Sequence, residues 1–319
     1  MNNAPASFVV LVGPTGAGKT ELSLVLAAAF NGEIVNCDSI QVYRGLEIGA
    51  AKLPQEARGG IPHHLLDVIS IEDELTAGTY SRLAREAIGE IQRRGGLAIV
   101  VGGTGFYLRA LLAGLSPAPV RDAALRGRLE ELARRRPGAL HRFLRAHDRE
   151  AAERIHPNDR QKLIRAVEMI CLSCEPASVI QKRRREAFEG IRTLKIGLDP
   201  ERSQLYERLN ERCAWMFRNG LLVETQKLLD SGSGARSKAL QSLGYKQAVR
   251  VLAGELSVEA AILECQARTR QYAKRQMTWF RREPDVVWLA GFGHEAEVKK
   301  EAIELTRKFL GEGNEKDAS

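Results

Sequence analysis

The chain has 319 residues, 44% hydrophobic and 28% charged, the balance of a water-soluble globular protein long enough for one large domain or two. No run approaches the roughly 18 consecutive apolar residues needed to span a bilayer, and Met1-Asn2-Asn3-Ala4-Pro5 lacks the basic flank of a signal peptide, so a cytoplasmic protein away from the membrane is expected. The net charge of +8 favours a polyanionic partner, while five scattered cysteines (Cys37, Cys171, Cys174, Cys213 and Cys265) exclude a disulfide scaffold and suit a reducing compartment.

Phe8 to Val12 reads as a buried strand, and Leu22 to Ala29 as a helix. Between them lies Gly13-Pro14-Thr15-Gly16-Ala17-Gly18-Lys19-Thr20, a Gly-x-x-x-x-Gly-Lys-Thr loop in the strand-loop-helix setting of a phosphate cradle. Glycines let such a backbone wrap a ligand and turn its N–H groups inward. The helix N-terminus adds positive potential, Lys19 a mobile charge, and the Thr20 hydroxyl a ligand for Mg²⁺. A polyphosphate or pyrophosphate ligand is expected.

Glu33 to Cys37 forms a second strand that delivers Asp38 and Ser39 at its carboxyl end, where open α/β sheets bind ligands. Residues 45–60 read as irregular, and Pro62 to Val68 as a third strand. His63 and His64 inside it point to opposite faces, so packing and hydrogen bonding suit them better than one shared metal. Thr76 to Arg94 is helical and Leu97 to Val101 a buried strand, followed by Gly102-Gly103-Thr104-Gly105 and a helix bearing Phe106, Tyr107, Leu108 and Leu111. Many phosphate-loop enzymes end such a strand in a metal-ordering Asp. Here Asp38 is the strand-terminal acid best placed for chemistry.

Ser116 to Pro119 marks a boundary. Residues 119–190 hold 17 Lys/Arg against 11 Asp/Glu, with the runs Arg134-Arg135-Arg136 and Lys182-Arg183-Arg184-Arg185. Residues 121–188 read as helices without a strand, one of them capped by Asn158-Asp159. Cys171 and Cys174 share Cys-x-x-Cys spacing there, but with no second ligand pair no metal or redox site is expected. A strand at Ile191 to Leu198 resumes the sheet, and helices follow from Asp199-Pro200 to Asn219 and from Leu221 to Leu229. Ser231 to Gly234 is a loop, Gln241 to Gln247 opens a helix, and a basic helix covers Val258 to Arg282. Val286 to Leu289 is the last strand, and Gly311 to Ser319 a frayed tail.

The pattern predicts an α/β fold: a P-loop NTPase-like parallel sheet flanked by helices (1–118 and 190–310) with an inserted all-helical basic subdomain (119–189) suited to nucleic acid. A kinase would use the cradle for ATP, and a prenyl transferase for an allylic diphosphate; Asp38 could serve either as base or beside a metal. The residues alone reach phosphate-ester chemistry on a polyanion.

Seven blocks in order carry more. The phosphate loop, Asp38-Ser39-Ile40-Gln41-Val42-Tyr43, Pro62-His63-His64-Leu65, Gly102 to Tyr107, His156-Pro157-Asn158-Asp159, Leu243-Gly244-Tyr245 and Lys274-Arg275-Gln276-Met277-Thr278-Trp279-Phe280-Arg281 together resemble the bacterial tRNA dimethylallyltransferases, or isopentenyltransferases, over about residues 8–290. The resemblance implies transfer of a dimethylallyl group from dimethylallyl diphosphate to N6 of the adenosine 3′ to the anticodon, with Mg²⁺, on the tRNA anticodon stem-loop; a monomer is expected. It assigns the donor's pyrophosphate to Gly13 through Thr20, the base to Asp38, and tRNA contacts to Asp38, Ser39, Ile40, Gln41, Thr104, Arg126, Gln161, Lys162, Leu163, Ile164 and Arg165. Arg208 is a candidate for an extra pyrophosphate clamp, with a plain helix-surface arginine as the alternative. The basic segments would grip RNA phosphates, and an unstacked base would meet Tyr43, Phe106 or Tyr107, Tyr43 being open to a packing role as well. An adenine-nucleotide prenyltransferase and a small-molecule kinase are the alternatives.

The chain departs from the family in places. Ala50-Ala51-Lys52-Leu53 stands where Thr-Ala-Lys-Pro is usual, losing a hydroxyl near the donor. Phe106 replaces a leucine, and Cys174-Glu175-Pro176 a Gly-Lys-Pro. No Cys/His finger follows Leu289.

Overall fold

In the computed structural model, which describes residues 6–183, 187–188, 190–232, 234 and 237–316 (side chains excepted at 6 and 312–316), the six apolar runs become six strands. These are β1 (Ala6–Val12), β2 (Gly32–Asn36), β3 (His63–His64), β4 (Leu97–Val101), β5 (Ile191–Asp199) and β6 (Val286–Ala290). They form one sheet, parallel throughout, in the order β3-β2-β4-β1-β5-β6. Central parallel strands are covered on both faces and so read as unbroken apolar runs; Phe8 to Val12 are at most 1% exposed. On one face Val9 and Leu11 pack with Leu22 and Leu26 of α1 (Lys19–Ala29) and with Val298 and Ala302 of the last helix, α13 (Ala296–Lys316). The helix α2 (Ala77–Arg93), capped by Thr76 accepting from the Thr79 N–H at 3.1 Å, also packs against β1, β2 and β4. Its buried residues Tyr80, Ala84, Ile88 and Ile91 follow the three- and four-residue spacing of one helix face.

The third strand is shorter than expected. Only His63 and His64 pair with β2, because Leu65 and Asp67 adopt left-handed φ of 61° and 56° that break an extended run. His63 Nδ1 lies 2.8 Å from the Ile61 carbonyl oxygen and His64 Nε2 2.6 Å from Glu33, the hydrogen-bonding role expected of them. The chain then continues through α3 (Gly105–Ala113).

Two compact units emerge, Met1–Leu111 with Phe188–Ser319, and Leu112–Ala187. The second starts inside the last turn of α3 rather than at residue 119. It is built of α4 (Ala123–Arg135), α5 (Ala139–His147), α6 (Arg149–Arg154), α7 (Arg160–Ser173) and α8 (Ala177–Lys182) around Leu129, Leu144, Leu163, Ile164 and Val167. Asp159 caps α7, accepting from the Lys162 N–H at 3.2 Å.

In the first unit α9 (Arg202–Arg218) starts after its cap Glu201, later than Asp199-Pro200 suggested, and packs on α12 (Val258–Phe280). The helix α10 (Leu221–Asp230) follows, and α11 (Tyr245–Leu252) begins after Gly244 instead of at Gln241. The end of the chain also differs from expectation, since α13 carries helix through Gly311 as far as Lys316; residues 317–319 lie outside the described residues, as do Met1 to Pro5, Arg184, Arg185 and Ser233. Among the described residues no helix is long and apolar enough to cross a membrane.

Candidate active site

The strands β1, β2 and β4 all deliver their carboxyl ends to one crevice, and β1 sits where crossovers diverge to the two halves of the sheet, the place where open α/β sheets bind ligands. The cradle leaves β1 at Gly13 and ends at Gly18, the N-cap of α1, with φ 87° and no side-chain cap. Gly18 is required twice over: its φ is left-handed, and a Cβ there would stand 2.7 Å from the Gly293 nitrogen. Gly293 itself donates its N–H to the Ala17 carbonyl at 2.9 Å, so residues 291–294 buttress the loop from the far end of the chain.

Lys19 folds back over this loop, donating to the Gly13 and Pro14 carbonyls at 3.0 and 2.8 Å. Burial draws its ammonium down to about 8, against the raising pull of the Asp38 carboxylate, and Arg212 lowers it further. Thr15 is held at both ends: its N–H donates to Gln276 Oε1 at 2.8 Å, and its hydroxyl accepts from Arg212 at 2.9 Å. Gln276, 5% exposed on α12, passes its own N–H to the Gly103 carbonyl at 2.8 Å. The cradle is thereby tied to the turn after β4. That turn explains why glycines stand where an acid is usual: a Cβ at Gly102 would lie 2.2 Å from the Cys37 carbonyl carbon.

Two arginines one helical turn apart on α9 face the cradle. Arg208 donates to Glu21 at 3.1 Å and to His294 Nδ1 at 3.0 Å, with its guanidinium over Phe292. Among the described residues Arg212 donates only to Thr15, and its buried Nε has no partner there. A guanidinium stays charged at physiological pH, so Arg212 holds a cation short of an acceptor at the lip of the phosphate loop.

Asp38 stands opposite. Its Oδ1 accepts from the Ile40 N–H at 2.8 Å and the Gln41 N–H at 3.4 Å, while Oδ2 has no protein partner among the described residues. Thr104 braces the next residue, accepting from the Ser39 N–H at 3.0 Å and lying 3.3 Å from the Ser39 hydroxyl. Two cavities meet here. One, of about 330 Å³, opens on Lys19, Thr20, Arg208 and Gln276; the other, of about 320 Å³, is lined by Cys213, Met216, Leu243, Thr269 and Tyr272. Thr15, Asp38, Ala50, Ala51 and Arg212 belong to both, and form a waist between a cationic chamber and a more apolar one. In the wall of the second chamber Cys213 Sγ lies 3.6 Å from Cys265, whose hydrogen bond draws the Cys213 thiol below its usual range.

The remaining sequence-derived residues divide by unit. Gly13 through Thr20, Asp38 through Gln41, Thr104 and Arg208 surround the crevice. Arg126 and Gln161 through Arg165 lie in the helical unit. There Arg126 and Arg165 donate to Glu168 Oε2 at 3.2 and 2.8 Å, and the Asp122 N–H donates to Oε1 at 3.0 Å; Glu168 is 0% exposed. Leu163 and Ile164 are core residues at 4% and 2% exposure, leaving Gln161 and Lys162 on the open side of α7. Among the three aromatics, Tyr43 and Tyr107 are buried, the latter donating to the Leu75 carbonyl at 2.7 Å. Phe106, 55% exposed, is the one with a free ring. Cys171 and Cys174 are free and exposed, and no group of three or more metal-suited His, Cys, Asp or Glu side chains occurs among the described residues.

Arg212 and Gln276 were missed as individual site residues. The signal for Arg212 is its four-residue spacing to Arg208; Gln276 lies within the basic helix, whose charges point to RNA and not to the cradle.

This geometry has close counterparts. A family model described as IPP transferase matches residues 41–283. The tRNA dimethylallyltransferase of Solibacter usitatus (strain Ellin6076) is 52% identical over 305 residues, covering 96% of this chain and 99% of that protein. That of Koribacter versatilis (strain Ellin345) is also 52% identical, over 299 residues, 93% of this chain and 97% of its own. The crystal structure of the full-length tRNA isopentenylpyrophosphate transferase from Bacillus halodurans superposes with a TM-score of 0.73 at 35% identity, covering 98% and 100% of the two chains. A eukaryotic dimethylallyltransferase acting on tRNA gives 0.80 at 29% identity, over 96% of this chain and 80% of that one. With a match over well over half of its length and relatives aligned nearly end to end, the chain belongs to the IPP transferase family.

Proposed function

We propose that the chain transfers a dimethylallyl group from dimethylallyl diphosphate to N6 of the adenosine 3′-adjacent to the anticodon in tRNA, giving N6-isopentenyladenosine and diphosphate. The observation that carries this reading is the waist: a carboxylate with one oxygen unpartnered among the described residues and an under-coordinated arginine stand where a cationic chamber meets a more apolar one. A kinase needs the acceptor at the outermost phosphate. Here the space beyond the cradle suits a short hydrocarbon, then a base.

The diphosphate would lie on the phosphate-loop amides, with Lys19 released from the Gly13 and Pro14 carbonyls to meet it. N6 attacks the allylic carbon as its bond to the diphosphate oxygen breaks. Asp38 Oδ2 takes the proton from N6, while the carboxylate is kept in place through Oδ1. Arg212 and Lys19 receive the charge that grows on the leaving diphosphate, the role in which fixed donors count most. The Thr20 hydroxyl, which opens on this chamber, would hold Mg²⁺ together with the donor's phosphate oxygens; Mg²⁺ needs few protein ligands beside phosphate. Bound there it would neutralise diphosphate charge. In the helical unit Arg128, Arg136, Arg142 and Arg145 are exposed without an acidic partner among the described residues, and would meet the tRNA backbone.

Incubation of the protein with bulk tRNA and dimethylallyl diphosphate, followed by digestion and mass spectrometry of nucleosides, should yield N6-isopentenyladenosine. Phosphate transfer from ATP without a prenylated nucleoside would overturn the reading. Preferential labelling of AMP or ADP over an anticodon stem-loop would convert it to nucleotide prenylation.

A further inference from the structure

One wall of the waist is backbone. Residues Gly49, Ala50 and Ala51 line the acceptor chamber, and Ala50 and Ala51 the diphosphate chamber too. This segment has no secondary structure, and Ala51 sits at φ 49°, a left-handed value that an alanine holds only when its surroundings impose it. Three anchors do so. Gln41 donates its amide to the Ala50 and Ala51 carbonyls at 3.1 and 3.3 Å. The buried Lys52 ammonium donates to the Tyr43 carbonyl at 2.6 Å and pairs with Glu47 and Asp67. The third is Glu224 on α10, whose carboxylate accepts the Glu47, Ile48 and Gly49 N–H groups at 3.1, 2.9 and 3.3 Å and the Tyr245 hydroxyl at 2.5 Å. Burial, with Glu224 beside it, raises the Tyr245 phenol, so it stays a donor.

Glu224 touches neither chamber. We propose that it is a positioning residue which fixes the backbone wall of the waist and so sets the size of allylic group the enzyme accepts. The inference rests on the proposed function, because an allylic donor must cross that waist. Four hydrogen bonds converge on one carboxylate, and three come from consecutive amides. No other side chain among the described residues can replace it: the segment's remaining anchors take its carbonyls and its flanking side chains, not these N–H groups.

The test compares the full chain with Glu224→Ala and Tyr245→Phe on an unmodified anticodon stem-loop, using dimethylallyl diphosphate and its ten-carbon homologue geranyl diphosphate. Glu224→Ala should lower kcat/KM for the five-carbon donor about 10- to 100-fold through misplacement alone. It should also shrink the five- to ten-carbon preference by about 10-fold, while stem-loop Kd changes less than about twofold. Tyr245→Phe removes one bond of four and should shift the same ratio by about 2- to 5-fold without unfolding the protein. An unchanged donor ratio in both variants would overturn the inference, whatever their thermal stability. Hydrogen exchange of the 47–49 amides reads the clamp apart from the reaction: rapid exchange in the wild type would overturn it even if transfer is normal. Slow exchange with no prenyl transfer by the wild type to either RNA or nucleotide would instead overturn the proposed function, and the specificity role with it.

Discussion

The two units spend their positive charge in opposite ways. Around the phosphate loop the cations are few and two of them are under-paired: among the described residues Lys19 meets only backbone carbonyls and Arg212 only a hydroxyl, while Arg208 pairs with Glu21. In the helical unit many are already neutralised. Arg134 and Arg135 share Glu131, Arg126 and Arg165 share Glu168, Lys182 pairs with Glu150 and Arg183 with Glu175. A count of Lys and Arg therefore overstates what the helical unit can offer RNA. The informative charges are those left after internal pairs are subtracted, because exposed pairs contribute little to folding and still occupy the cation.

The contrast breaks first at Asp38. Asp38→Ala should cut turnover about 10²- to 10⁴-fold with stem-loop affinity within about twofold, since only proton removal is lost; retained turnover in single-turnover assays would remove Asp38 as the base. Arg212→Ala should cost about 10²- to 10³-fold in turnover, and Arg212→Lys should recover little because the guanidinium fork is not reproduced. Equal rates for the wild type and Arg212→Lys would reduce it to a point charge.

The buried pair in the helical unit makes a stability prediction instead. Glu168→Ala leaves Arg126 and Arg165 facing each other and should destabilise that unit by about 3–5 kcal/mol, whereas a triple apolar replacement of all three should recover most of it. Urea denaturation of the variants checks this, and donor KM should not follow. Smaller still is the salt effect. Alanine at Arg128, Arg136, Arg142 and Arg145 should each reduce the slope of log affinity for tRNA against log salt by about 0.7–0.9, and alanine at Arg134 or Arg135 should leave it in place. Equal effects from both sets would erase the distinction drawn between free and paired cations.

The least effect is a proton. Lys19 titrates near 8 when folded against 10.5 in its ordinary setting. Between those values the unfolded chain binds more protons, so stability should rise with pH across the window as the buried charge is lost. A bound diphosphate restores the charge, so calorimetry at about pH 8.5 in buffers of different ionisation enthalpy should register proton uptake that Lys19→Met abolishes.

Much of the fold is legible in the sequence. Periodicity found all six strands, and the Gly-x-x-x-x-Gly-Lys-Thr pattern marked the turn from β1 into α1, because both depend on residues adjacent in sequence. Contacts over long separations were hidden. Nothing local to Gln276 says that its amide bridges Thr15 and Gly103, and nothing near Glu224 says that it holds residues 47–49. Leu163 and Ile164 are instructive in the other direction: a resemblance transfers a whole stretch of helix, while its period puts those two side chains in the core. Helix starts slipped for a related reason, since α11 waits for Gly244 and α9 for its Glu201 cap.

The buttress on the phosphate loop also makes its shape a long-range property of the fold. The loop follows β1, yet the N–H that meets its Ala17 carbonyl belongs to Gly293, which follows β6. Pairing of β1 with β4 and β5 therefore does not complete the cradle, which also needs the turn after β6 in place. A contact closed over so long a stretch of chain carries a large loop-closure entropy, so the loop's shape is held by the completed sheet and not by its own residues alone.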